Sequence, residues 1–333
     1  MTLHRSILIL LLSGNYLAGC KAQPSFGENY LKLEKVILLP DVKGRIDHLD
    51  VNLQDKIVYV TALGNNTVEV VDIQNGKIIH SFTGMDEPQG IGYVPQTKEI
   101  LIANGGNGNC YFYNTTTFQK TATIHLAGDA DDVRYDSVNQ KLYVGYGEGG
   151  IAMIDAVTHQ QTGDVKLPAH PEGFQLDRSA NRLLVNVPDK NMIVVIDLGQ
   201  FKLIDQWKKN TPAANFPMFM DTVNHYAFIG YRHPATLRVI NTKTGEEISS
   251  NEITGDTDDL YFDYDTKRVY ISGGDGSINI FQQKERSFTK IANITTRKGA
   301  RTSLFIPSLK LFVVAERAVS GVPAQLAVYS IPK

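Results

Sequence analysis

Lys141-Leu-Tyr-Val-Gly145 and Arg268-Val-Tyr-Ile-Ser272 are one short strand written twice: a cation, apolar residues around a central tyrosine, then a small residue. A short apolar run of β-branched and aromatic side chains bounded by turn residues favours a buried strand. The strand recurs seven times along the chain. Its third position is Tyr59, Leu101, Tyr143, Leu184, Phe228, Tyr270 and Phe312, with gaps of 42, 42, 41, 44, 42 and 42 residues. Each copy is followed by a further strand, as in Thr67-Val-Glu-Val-Val-Asp72 or Asn191-Met-Ile-Val-Val-Ile-Asp197. Turn pairs such as Asn75-Gly76 and Thr244-Gly245 separate the strands, because Asn and Gly tolerate the backbone angles tight turns need. No stretch of a dozen residues shows helical periodicity with caps. A strand-only repeat of this length predicts an all-β chain, a seven-bladed β-propeller with one four-stranded blade per repeat.

The chain ends predict how the ring closes. The last repeat stops after its third strand, Gln325 to Ile331, while a spare strand, Leu31 to Leu39, precedes the first repeat. Pairing the two makes residues 31–39 the outer strand of the last blade and leaves no open edge for another chain to join. A closed repeat array is one domain however long it runs, and it is expected to act as a monomer. The 333 residues are 42% hydrophobic, ample for a large core. A formal net charge of -2, with no run of Lys or Arg, excludes nucleic acid as an expected partner.

The first residues read as an address. Arg5 supplies a positive start, Ile7 to Leu12 a short apolar core, and Leu17-Ala-Gly-Cys20 a small-residue cleavage site. This arrangement resembles the lipobox of bacterial lipoproteins. The resemblance implies a signal peptide over residues 1–19, acylation of Cys20, a tether over residues 20–30 and a propeller over 31–333. The implied partner is a membrane, held through lipid on Cys20, with the protein facing the periplasm or cell exterior. Cys110 is the only other cysteine, and its place at the start of a strand favours a small buried hydrophobe over a nucleophile.

The repeats themselves resemble those of bacterial YVTN-repeat, YncE-like propellers. Lys141-Leu-Tyr-Val-Gly145 and Arg268-Val-Tyr-Ile-Ser272 carry the likeness, with Asn65-Asn-Thr-Val-Glu-Val-Val-Asp72 and Gly150-Ile-Ala-Met-Ile-Asp155 behind them. It extends over residues 31 to 331. The resemblance implies the fold, but not a reaction, because that family mixes binding proteins, lactonase-like enzymes and members without a known role.

Function is sought where the innermost strands begin. Aligned on their second strands, the repeats place seven pairs at the mouth of the central channel: Asp47-His48, Gln89-Gly90, Asp131-Asp132, Glu172-Gly173, Phe216-Pro217, Asp258-Asp259 and Ala300-Arg301. Arg45 and His170 stand two residues from ring members and can join them. The joining loops bring Tyr146, Glu148, Tyr231, Arg232, His233, Asp275, Glu316 and Arg317 to the same end. Polar residues at a channel mouth can be simple hydration or local capping. Ten charged or titratable groups on one small ring point further, to a concave polar site. Like-signed neighbours such as Asp131 and Asp132 need a cation to compensate, and Arg45 and Arg301, adjacent across the closure, are candidates to supply it. His170, Glu172, Asp131 and Asp258 are metal-ligand types, but they come from separate blades with no spacing to test, and no metal or cofactor is assigned from sequence. No HExxH, CxxC, CxxCH or GxSxG motif is present. The leading expectation is a module that binds a small polar ligand or an envelope protein. The alternative is a lactonase-like hydrolase or isomerase using the ring carboxylates and histidines, with or without a divalent metal.

Overall fold

The computed structural model describes residues 26–208 and 212–332, and over these the chain forms seven four-stranded antiparallel sheets. Blades 1 to 6 are each four consecutive strands. Their innermost strands are Leu49–Asn52, Pro88–Val94, Val133–Asp136, Phe174–Asp177, Ala213–Asp221 and Thr257–Asp263. Blade 7 contains Ser303–Ile306, Leu311–Glu316 and Ala324–Ser330, and takes its outer strand from Lys32–Leu39. Leu39 lies opposite Ala324 and Lys32 opposite Ser330, so the first strand of the chain pairs with the last.

The core is divided among the blade junctions. Each hydrophobic cluster joins two adjacent blades, and the central residue of the second strand faces forward. Tyr59 packs with Ile91 and Ile100 of blade 2, and Tyr143 packs with Phe174 and Leu183 of blade 4. Phe228 stacks on Phe262 of blade 6 at 5.3 Å between ring centroids. The flanking residues face backward: Val58 and Val60 join Leu304 and Val313 of blade 7. Both faces of a blade are covered, so its middle strands read as nearly continuous apolar runs.

The last repeat departs from the spacing read in the sequence. Leu304 lies opposite Val313, as Tyr261 lies opposite Tyr270. Val313 therefore fills the forward-facing position and packs toward blade 1, while Phe312 turns back to Tyr270 of blade 6. Because side chains alternate across a strand, a one-residue error in phase moves a residue to the other face. The aromatic at 312 had drawn the alignment one residue short, and the mouth pair of blade 7 is Arg301-Thr302. Ala300 is fully buried in the junction between blades 6 and 7.

Acidic residues ending the inner strands hold the turns that follow. Asp136 accepts bonds from the Val138 amide and the Asn139 side chain at 3.0 Å each, and Asp221 accepts the equivalent bonds from Val223 and Asn224. Such side chains stand in for a backbone turn. Residues 26–29, expected to belong to a tether, form a 3₁₀ turn (Phe26–Asn29), and Leu31 is buried between blades 6 and 7. Cys20 and the rest of residues 1–25 lie outside the described residues. No helix among the described residues is long and apolar enough to cross a membrane. Cys110 is buried between blades 2 and 3, and burial pushes its thiol up to about 12.

Candidate ligand site at the channel mouth

Two backbone features shape the mouth. Gly90 and Gly173, the second members of their pairs, lie against the neighbouring blade. A Cβ on Gly90 would meet the Asp131 carbonyl oxygen at 1.9 Å, and one on Gly173 would meet the Phe216 carbonyl oxygen at 2.5 Å. Glycine lets the inner strands approach here. Their partners Gln89 and Glu172, with the charged pairs of blades 1, 3 and 6, line a cavity of about 670 Å³.

All ten charged or titratable ring residues expected from the sequence line this one cavity: Arg45, Asp47, His48, Asp131, Asp132, His170, Glu172, Asp258, Asp259 and Arg301. Of the joining-loop residues, Arg232 lines it; Tyr146, Glu148, Tyr231, His233, Asp275, Glu316 and Arg317 do not. Tyr146 and Tyr231 are core residues of the blade junctions, and Glu316 pairs with Arg297 at 3.4 Å. Asp50, Asp129, Arg134 and Tyr261 also line the cavity but were missed. Strand alternation was the available signal. Asp50, Arg134 and Tyr261 each follow a mouth residue by two positions, and such residues share a face.

The charges sort into an arginine-clamped side and an acid-rich side. Arg232 Nη2 bonds Asp258 Oδ1 at 2.6 Å, and Arg301 Nε reaches Asp258 Oδ2 at 2.9 Å. Arg301 Nη1 also takes Asp256 Oδ1 at 3.0 Å, and Arg232 lies 3.4 Å over the Phe216 ring. Arg45 is spent on Asp47 at 2.6 Å. Neither Arg45 nor Arg301 therefore pairs directly with Asp131 or Asp132: Arg301 is taken by Asp256 and Asp258, and Arg45 acts on Asp131 only through its field. Arg134 bonds Asp132 instead, and His48 Nε2 stands 3.4 Å from Asp131 Oδ1 and 3.8 Å from Asp132 Oδ1. Asp131 Oδ1 and Asp132 Oδ2 are nonetheless buried without a hydrogen bond. Among the described residues, the Glu172 carboxylate accepts none either.

Burial sets the protonation of the site. It pushes Asp47 up to about 6 despite His48 nearby, Asp50 to about 6 despite two backbone amides, and Asp259 to about 7. Burial, then Asp131 and Asp258, hold Glu172 well above the carboxylate range. Burial alone would lower His48, but Asp132, Asp131 and Asp47 outweigh it and raise the imidazole well above its ordinary value. Asp131 goes the other way: burial would raise it, and His48, His170 and Arg45 together hold it low. Asp131, His170 and Glu172 each bring one ligating atom within 4.8 Å of the others. Eight carboxylates face four guanidiniums and two imidazoles across the cavity, crowded in low-dielectric surroundings.

No protein-family model matches the chain, and none of the curated proteins searched matches it. Solved structures do. A chain in the crystal structure of the mitotic checkpoint complex superimposes with a TM-score of 0.75, covering 99% of this chain and 100% of that one at 16% identity. The likeness is one of fold. It supports the propeller fold and leaves the role to the site.

Proposed function

We propose that this protein is a lipid-anchored propeller of the bacterial cell envelope, facing the periplasm or cell exterior, that binds a small polar ligand at its channel mouth. The observation that carries the ligand reading is the pairing pattern. Each arginine of the mouth already serves a carboxylate, while, among the described residues, buried oxygens of Asp131 and Asp132 lack hydrogen bonds. A ligand that contributes hydrogen-bond donors or positive charge would satisfy them. The lipobox at Leu17-Ala-Gly-Cys20 and the resemblance to YVTN-repeat propellers support the envelope location.

Thermal-shift and calorimetric titrations in EDTA, comparing putrescine and arginine amide with citrate and phosphate, test the site. Amines should bind and raise Tm, and Asp131→Asn with Glu172→Gln should remove the effect. Binding by the anions alone would overturn the reading. Loss of membrane association in Cys20→Ser tests the anchor; wild-type protein found soluble and unlipidated would refute it.

A second reading, a hydrolase or isomerase, draws on Asp259, whose pKa of about 7 suits a proton carrier near neutral pH. Asp259 accepts the Ser303 amide at 2.8 Å and stands 3.4 Å from the Tyr261 hydroxyl, so its protonation is coupled to a packed pair at the channel wall.

A further inference from the structure

The geometry points to a divalent transition-metal site, of the Zn²⁺ or Mn²⁺ class, formed by Asp131, His170 and Glu172 on the acid-rich side of the mouth. These residues come from blade 3, the loop before blade 4 and the mouth pair of blade 4, and no sequence spacing joins all three. Folding brings one ligating atom of each within 4.8 Å of the others, as ligands around one ion require.

Two further observations separate this group from an ordinary acidic cluster. Asp131 is only 7% exposed, yet its Oδ1 lacks a hydrogen bond. That oxygen has lost water and gained only the His48 imidazole at 3.4 Å, an ion pair without hydrogen-bond geometry, which leaves a lone pair for a cation. The second is the fixed tautomer of His170. Its Nδ1 lies 2.6 Å from the Gly147 carbonyl oxygen, which can only accept, and 3.5 Å from Asp129 Oδ2, so Nδ1 carries a proton and Nε2 is the nitrogen that can offer a lone pair to an ion. A ring nitrogen held by a backbone carbonyl is the usual support for a metal-binding imidazole, since it sets both tautomer and orientation.

The donor set narrows the metal. One imidazole with two carboxylates suits Zn²⁺ or Mn²⁺ better than Ca²⁺ or Mg²⁺, which prefer oxygen alone, and no thiolate is present to favour a soft ion. Three protein ligands leave coordination positions for water or for a ligand group, and all three residues line the cavity. The inference deepens the proposed binding role, since the ion would supply positive charge beside the unsatisfied acids. It stands or falls apart from it, because the amine titrations are run in EDTA and the metal titrations without organic ligand.

The experiment uses untagged full-length protein in detergent, stripped with EDTA, dialysed and titrated calorimetrically with ZnCl₂, MnCl₂ and CaCl₂, with bound metal counted by mass spectrometry. One equivalent of Zn²⁺ or Mn²⁺ should bind and raise Tm, with Ca²⁺ much weaker. His170→Gln and Glu172→Gln should each weaken binding by about 100-fold or more, beyond the loss expected for a supporting residue. His159→Gln, which alters a histidine–carboxylate pair remote from the mouth, should leave it unchanged. Should His170→Gln fail to fold, Glu172→Gln still decides, because its carboxylate has no hydrogen bond to lose. No saturable binding up to about 1 mM, where the binding free energy is only about -4 kcal/mol, would overturn the inference. So would binding that both variants leave intact.

Discussion

Asp131 and Asp258 occupy the same place in two different repeats, and their neighbours make them opposites. Asp258 holds two arginines, at 2.6 and 2.9 Å, whereas Asp131 leaves a buried oxygen without a hydrogen bond. Replacing Asp258 by Asn should leave both guanidiniums only the more exposed Asp256 as a carboxylate partner and cost about 3 kcal/mol, the scale of breaking a buried ion pair. Asp131→Asn relieves like charge beside Asp132 but takes the carboxylate from His48 at 3.4 Å, and should cost less, about 1 kcal/mol. Phe228→Ala provides the scale for core damage, about 3 kcal/mol or more, since Phe228 is fully buried against Phe262 and Phe288. Urea melts of the three variants check the order, and equal losses in Asp131→Asn and Asp258→Asn would show that the pairing pattern has been misread. The mouth acids were legible because they recur in phase with the repeat. Their partners were not, since pairing depends on which way a long side chain reaches: Arg301 turns to Asp256 and Asp258 although Asp131 looked equally available in the sequence.

At the scale of the element, the strand Lys32–Leu39 has a single task, to occupy the edge of Ala324–Ser330. Ile37 and Leu39 are buried in the junction between blades 7 and 1, while Leu33, Val36 and Leu38 stay exposed. Deleting residues 32–39 should expose a full strand edge and produce oligomers or aggregates on gel filtration. A synthetic peptide of the deleted sequence should restore monomers by adding itself as a strand. A truncated protein that stays monomeric would show that the edge is dispensable. This element was readable because a missing strand at one end of the chain matched a spare one at the other. The phase of blade 7 was misread for an equally physical reason: both faces of its second strand are buried, so Phe312 and Val313 are equally apolar. Hydrophobic alternation, which fixes register where one face meets water, carries no information there.

Across the whole molecule, the crowded acids of the channel bias stability with pH. Asp47, Asp50 and Asp259 have folded values near 6, 6 and 7, all raised from 3.8 by burial. A raised acid binds more protons in the folded state, so its contribution is fully present below about pH 4 and is lost as pH rises through 6 to 7. His48 and Glu172 are raised as well and act in the same sense. Glu99, Asp131, Asp136 and Asp155 are lowered and lose their contributions only as pH falls below the ordinary carboxylate range. In EDTA, Tm should therefore be higher at pH 5 than at pH 8 by about 3 °C or more, roughly 1 kcal/mol in a protein of this size. Asp259→Asn should flatten the slope. A Tm that rises toward pH 8 would show that the channel acids are ionised and compensated.

The bond between Ser330 and Glu34 spans 296 residues, and it governs timing as much as shape. A ribosome delivers Glu34 296 residues before Ser330, so the strand Lys32–Leu39 must wait through that length of synthesis before it has its edge to pair with. Loop-closure entropy over such a distance makes this a late step of folding. During the delay an apolar strand and a bare sheet edge coexist in the same chain. Such an interval is when a chaperone would be needed most, all the more under the proposed envelope location, which requires export before folding.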